Sequence, residues 1–351
     1  MGAFLVIAAL VIFPFMVGFA GWYDNQPYRD LLFFTPFIHS LAIGPLLYFY
    51  VKSVFNSDFK LKSKDWLHFL PAFLYVTITV TFSLLDLFYF RTYTLTNERE
   101  DPDFAQWYTY LSIASVLIYL FLSIKYYQQY KRFAIITTSF AEQASLKWLL
   151  NFLYAFALLS VMPIINSALS NLSFFEKLRY FGPWYYYVAF GIVVYYIAVN
   201  AYHVASLALY KVKFEPQFLQ EFDEEVKERS ILAPSTLPDT KLVTLKNELV
   251  ALMENELLFE RSDLTLADVA KKLNTNAVIL SKVVNQQFGL NFNDYINKYR
   301  VNAVIKRMSL PEFKNHTLLA IAFDAGFNSK ATFNRAFKKF TDKNPKDFLS
   351  L

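Results

Sequence analysis

Apolar positions along this chain change pattern near residue 210. Before it they form unbroken runs; after it they recur at helical spacing with polar residues between them. Six runs approach the ~20 residues that a membrane-spanning helix needs. They lie near 3–20, 31–51, 66–90, 104–124, 148–170 and 182–209. Backbone groups in hydrocarbon must bond internally, so these runs predict helices. The first lacks a basic leading segment and five more follow it, which makes it a span and not a cleaved leader. It starts directly after Met1 and Gly2 with no charged flank, which leaves open a further span upstream. Pro14, Pro36, Pro45, Pro71 and Pro163 fall within the runs and predict kinks.

Beyond residue 210 the pattern is that of water-exposed helices. A short helix is expected over 214–229, then a boundary loop over 230–240 holding Pro234 and Pro238. A helix over 241–258 follows, with Leu242, Leu245, Leu249 and Leu252 at spacings of 3, 4 and 3. Two heptads are too short for a coiled coil, so this stripe is expected to pack on the domain that follows. In the stretch 264–273, Thr265 is a candidate N-cap and Asp268 completes a capping box. Asn274 to Asn276 form a turn, with Asn274 suited to a left-handed conformation. The next helix, 277–288, carries an inward stripe of Leu280, Val283, Val284 and Phe288, and Gly289 ends it. On its other sides stand Val278, Ser281, Lys282 and Asn285.

The same grammar returns downstream. A helix over 317–325, a turn at Gly326 and a helix over 329–340 form a second helix-turn-helix. Its inward stripe is Phe333, Ala336, Phe337 and Phe340; its exposed side offers Lys330, Ala331, Asn334, Arg335 and Lys338. In each unit an alanine precedes the turn residue by four positions (Ala270 and Asn274, Ala322 and Gly326). A helix over 292–308 joins the units; at ~1.5 Å per residue it is about 25 Å long. Two reading heads could thus lie near one DNA turn apart, ~34 Å.

Charge sharpens this division. Residues 215–263 hold 5 Lys and Arg against 12 Asp and Glu, whereas 264–351 hold 14 against 6. A basic last domain favours a polyanionic partner. Around the runs, loops 52–65 and 125–147 carry eight Lys and Arg, and the alternate loops carry five. That bias puts the first pair, and residues 211–351 with them, on the cytoplasmic side. The acidic loop 98–103 would face outward.

Candidate chemistry is sparse. With no cysteine in the chain, disulfides, thiolate metal sites and cysteine nucleophiles are excluded. Within the runs, His39, His68, Asn151, Asn166, Asn200 and His203 are scattered and are expected to bond between helices. They form no acid–base, nucleophile or metal constellation, so no catalytic residue, metal or cofactor is expected.

The residues of the last domain resemble those of the AraC/XylS family of transcription regulators over about 242–351. The resemblance is carried by Leu280-Ser281, Ile321-Ala322, Gly326-Phe327, Ser329, Phe333, Arg335, Phe337-Lys338-Lys339 and Pro345. The whole chain resembles a membrane-anchored branch of that family, and Ile43-Gly44-Pro45-Leu46-Leu47-Tyr48-Phe49-Tyr50 is similar to that branch's membrane segment. Asp342 stands where the family usually has Gly, and Leu349 or Ser350 where it often has Arg. The resemblance implies two helix-turn-helix units reading successive major grooves. It puts Val278, Ser281 and Lys282 at the first reader's base-facing positions and Lys330, Ala331, Asn334 and Arg335 at the second's; Asn285, on the same side of its helix, is a further DNA-binding candidate. Lys338, Lys339 and Asn328 suit phosphate contacts; Arg suits guanine and Asn adenine.

The expectation is therefore an all-α chain: a transmembrane bundle over 1–210, a juxtamembrane linker over 211–240 and an AraC-type DNA-binding domain over 241–351. It implies a multi-pass protein of a bacterial inner membrane with its last domain in the cytoplasm. Its partners would be double-stranded DNA, the lipid bilayer, a small-molecule or peptide signal, and a second copy in a homodimer. A transporter or membrane enzyme with a regulatory DNA-binding tail is the alternative, and a purely structural DNA tether shares every residue with the first reading.

Overall fold

A computed structural model of the chain is all-α, as the apolar pattern requires, and describes residues 1–56, 58–96, 103, 105–169, 178–206, 214–231, 239–311 and 316–349. In chain order its helices are α1 (Gly2–Phe19), α2 (Tyr28–Phe34), α3 (Ser40–Phe55), α4 (Leu70–Leu84), α5 (Gln106–Thr137), α6 (Ala141–Ala144), α7 (Lys147–Leu169) and α8 (Leu178–Ser206). They continue as α9 (Pro216–Ile231), α10 (Asp239–Glu254), α11 (Leu266–Lys272), α12 (Ala277–Phe288), α13 (Phe292–Met308), α14 (Leu318–Asp324), α15 (Lys330–Thr341) and α16 (Pro345–Leu349). Contacts divide the chain into two units. One holds Met1–Tyr127 and Lys147–Lys211; the other holds Gln128–Leu146 together with Val212–Leu351. The second unit thus draws in a segment from the middle of the apolar half.

Among the described residues, five helices are long and apolar enough to cross a membrane, and Ser40–Phe55 is a shorter apolar helix. Their outward side chains include Phe73, Phe88, Phe121, Leu158 and Ile192, all exposed. The inner side is aromatic: Phe4, Phe152, Phe156 and Phe190 are buried, with Phe156 against both Phe4 and Phe190. Gly44 lets α3 approach α5 closely. A Cβ there would stand 2.8 Å from the Tyr119 ring and 3.2 Å from the Ser115 carbonyl oxygen.

Two expected elements take a different form. The run at 31–51 is not one helix: α2 ends at Phe34 and α3 begins at Ser40. Pro36 disfavours helical geometry at the residue before it, and Thr35 is extended. The break is then held from a distance. The Asp103 carboxylate accepts from the Phe37 and Ile38 amides at 2.7 and 2.9 Å and from the Tyr75 hydroxyl at 2.6 Å. The fourth run passes its expected end at 124, and α5 continues to Thr137. Lys, Gln and Arg are good helix formers, so polarity ends the apolar run without ending the helix. Pro14, Pro45 and Pro163 lie inside helices, whereas Pro71 lies in the first turn of α4, where its missing N–H costs least. Of the polar residues in the runs, His68 meets the Tyr119 hydroxyl at 2.8 Å, and Asn200 bonds the Tyr196 carbonyl of its own helix. The side chain of His203 and most of the 98–103 and 230–240 loops lie outside the described residues.

In the second unit the helices are capped by side chains. Thr265, Asn276, Asn291, Thr317 and Ser329 each accept the amide three residues on, at the starts of α11 to α15. Thr265 and Asp268 form the expected capping box. Removing it with Thr265→Ala is expected to cost ~1 kcal/mol, seen as roughly fivefold faster hydrogen exchange of the α11 amides. The core lies around α13, where Val301, Val304, Ile321, Ala322, Phe327, Phe333 and Phe337 are buried together. Leu242 and Leu245 of α10 pack on Val283 of α12, which uses the leucine stripe as the sequence suggested.

Candidate nucleic-acid interface

Two turns position the candidate reading helices, and they share one hydrogen-bond pattern. After α11, the Thr275 amide donates to the Ala270 carbonyl and the Asn274 amide to that of Lys271. After α14, the Phe327 amide donates to the Ala322 carbonyl and the Gly326 amide to that of Phe323. This crossed pair is the Schellman motif, which needs a left-handed residue just past the helix. Asn274 (φ 49) and Gly326 (φ 96) supply it. Ala270 and Ala322 are buried in the helix crossings, where a larger side chain would hold the helices apart.

Only glycine fits the second turn. A Cβ on Gly326 would lie 2.7 Å from the carbonyl oxygens of Phe259 and Glu260 and 2.9 Å from Nε of Arg300. Those carbonyls bracket a 3-10 turn at Leu258–Glu260 that comes before α11 in the chain.

From that turn α15 runs with its two sides cleanly separated. Phe333, Ala336 and Phe337 are buried, whereas Lys330, Ala331, Asn334, Arg335, Lys338 and Lys339 are exposed. Ser329 caps the helix through the Thr332 amide. Two of the outward cations already have partners. Lys339 pairs with Asp294 at 2.6 Å, and Arg335 pairs with Glu142. Asn328 is turned away from α15 and donates to the Ser262 carbonyl at 2.9 Å.

The side of α12 assigned to reading differs. Val278 is half-buried and Asn285 exposed, but Ser281 and Lys282 are only 5% and 9% exposed. This unit includes α9, which packs against α12. Phe222 of α9 shares a shallow cleft with Asn285, Asn291, Lys131 and Arg132. Asp223 of the same helix pairs with Arg132 at 2.5 Å, and Phe218 packs edge-on against Phe133.

Sequence reasoning passed over one residue that organises the unit. Arg300, in the middle of α13, is almost wholly buried. Its guanidinium donates to the carbonyls of Phe259 (2.8 Å), Arg261 (2.7 Å) and Ser139 (3.1 Å), and to the Ser139 hydroxyl (3.0 Å). Burial pushes its pKa down to about 9, which still leaves it charged at neutral pH. The signal was present as an arginine on the inward side of an amphipathic helix, one position from buried Val301. Beside it, Arg307 pairs with Glu260 of the same 3-10 turn.

Ser139 brings the segment from the apolar half onto this unit. The Ser139 amide donates to the Leu264 carbonyl at 3.0 Å, and the Asn293 side chain donates to the Thr138 carbonyl at 3.2 Å. Thr138 also forms an isolated antiparallel bridge with Thr265. Farther along, the Glu142 carboxylate accepts from Arg335 and, at 2.9 Å, from the Thr332 hydroxyl. The Gln143 amide donates to the hydroxyls of Ser329 (3.2 Å) and Thr332 (3.1 Å).

Comparison with known proteins agrees with this geometry. Residues 257–350 match the helix-turn-helix domain family, so the chain carries an AraC-type helix-turn-helix domain at its C-terminal end. Three uncharacterised helix-turn-helix-type transcriptional regulators of Staphylococcus aureus, from strains COL, MSSA476 and N315, are each 30% identical to it over 86 residues. That alignment covers 24% of this chain and 11% of each relative. The chain therefore spans about a tenth of the length of these curated relatives. No solved structure matches it.

Proposed function

We propose that this protein is a membrane-bound, sequence-specific DNA-binding transcription regulator, with α12 and α15 as its reading helices. The observation that carries the reading is α15: a capped helix after a Schellman turn in a helix-turn-helix domain, with Lys330, Asn334, Arg335 and Lys338 opposite its buried side. The N-terminal part of such a helix supplies the base contacts in the major groove. Arg335 offers a bidentate donor to guanine and Asn334 a donor–acceptor pair to adenine. Lys338 and Lys339 suit phosphates, which set register without reading sequence. Val278, Ser281, Lys282 and Asn285 are the corresponding positions of the first reader.

Five apolar helices support placement in a bacterial inner membrane as a multi-pass protein. With the charged loops on the cytoplasmic side, the DNA domain is cytoplasmic as well. The signal is sensed in the first unit, which contains a cavity of about 290 Å³ among α1, α3, α5, α7 and α8. Its surface is mostly apolar, with Asp103, Tyr108, Ser112, Ser160 and Asn166 among its polar groups. That composition suits a small amphiphilic molecule. Binding acts on DNA recognition only through unequal affinity for two states of the protein, and paired sites would recruit a homodimer.

The test is genome-wide capture of chromosomal fragments by the full chain, compared with Arg335→Ala. One lost bidentate base contact, ~1–3 kcal/mol, is expected to weaken the best site about ten- to a hundredfold and to relax one position of its sequence logo. Equal, sequence-blind capture by both forms would refute the assignment.

A further inference from the structure

We propose that residues 138–145, together with α9, form an inhibitory clamp on the reading helices, and that this domain binds DNA only after the clamp lets go. The proposal rests on the reading of α12 and α15 as DNA-facing. At α15 the clamp holds Arg335, which a duplex would need, and grips the helix through Ser329 and the buried Thr332, which a duplex would not. Arg335 and Thr332 donate to the Glu142 carboxylate, and Gln143 donates to Ser329 and Thr332 in the first turn. A carboxylate beside a groove-facing arginine provides the acceptor that a base edge or phosphate would provide, and it repels the phosphates themselves. Glu142 and a duplex therefore compete for Arg335.

The attachment of the segment is a separate observation. Thr138 and Ser139 are buried and are tied by the Ser139 amide to the Leu264 carbonyl, by the bridge pairing of Thr138 with Thr265, and by side chains from Asn293 and Arg300. This docking holds residues 142 and 143 at α15 without any help from the Arg335 pair. At α12 the occlusion is steric. Ser281 and Lys282 are buried in a unit where α9 lies against α12, and Arg132 fastens α9 through Asp223. A lysine that must reach phosphate or base cannot do so from a site 9% exposed. Segments outside the matched domain of 257–350 thus engage each reader: Glu142 and Gln143 at the first turn and Arg335 of α15, and α9 against α12.

The experiment uses the full chain in lipid nanodiscs, with DNA affinity measured on fluorescent 30-base-pair duplexes selected by the protein from a random pool. Glu142→Gln combined with Gln143→Ala is expected to tighten binding about tenfold, the scale of charge-assisted bonds discounted for exposure. The native chain has no cysteine, so Gln143→Cys with Thr332→Cys can be joined by a short bis-maleimide. Joining is expected to abolish binding, and the unjoined pair is expected to bind at least as well as the unmodified chain. If Arg335→Ala still abolishes binding but freeing the loop leaves affinity unchanged or lowers it, the clamp is overturned and the interface stands. If the joined form binds normally, the clamp is overturned independently of how the loop variant folds. If Arg335→Ala binds normally, the interface fails and the clamp with it.

Discussion

Gly326→Ala is expected to loosen the second helix-turn-helix by about 2–5 kcal/mol, the sum of a left-handed penalty of ~1–2 kcal/mol and an overpacking penalty of ~1–3 kcal/mol. Both apply because φ is 96° and the new methyl would lie 2.7 Å from two carbonyl oxygens. Neither carbonyl can turn aside freely. The Phe259 oxygen accepts from Arg300, and both lie at the 3-10 turn that sits against α13. Hydrogen exchange on the full chain would read the change as faster opening of the α14 and α15 amides, from about thirtyfold to a few thousandfold. Gly326→Asn separates the two causes. Asparagine occupies the left-handed position of the first turn at Asn274, so a tolerated Gly326→Asn would show that conformation alone sets the requirement. The crowding predicts that it fails as badly as alanine.

Arg300→Met is expected to cost about 3 kcal/mol or more, since removing a buried charged donor strands the acceptors it served. Three main-chain carbonyls, one hydroxyl and, at 3.5 Å, the Asn297 side-chain oxygen face that guanidinium. Methionine fills much of the volume and donates nothing. Arg300→Lys is expected to rescue little, because a single ammonium cannot span the planar fork that reaches Phe259 on one edge and Ser139 and Arg261 on the other. The measurement is again amide exchange, now along α13 and the Leu258–Glu260 turn. Near-native protection in the Lys variant would show that charge, not fork geometry, holds the site.

The water-exposed half was legible in detail because each helix has one wet side. Polar and apolar residues then alternate at the helical period, and the ends carry their own caps. The bounds of α12 and α13, the capping box at Thr265 and the left-handed Asn274 all follow from such local rules. In the apolar half the helices were legible but their interruptions were not. Hydropathy cannot distinguish a kink at Pro36 from a break, because the break is capped by Asp103, 65 residues away from Ile38. It also stops at Lys125, where α5 does not. At the candidate site, the outward residues of α15 could be assigned from periodicity. The partners of Arg335 and the burial of Ser281 and Lys282 could not, since they come from segments distant in the chain. The set of acceptors around Arg300 was hidden for the same reason.

The arginine that knits Phe259, Arg261 and Ser139 together also sets the terms on which the 138–145 segment can leave. Departure of Ser139 removes two acceptors from a buried cation, and beyond the Asn297 side-chain oxygen at 3.5 Å solvent has to replace them. Opening is therefore a hydration event as well as a movement of chain. Osmolytes that withdraw water from protein surfaces should hold the domain shut, and dilution should ease it open, whatever molecule gives the command.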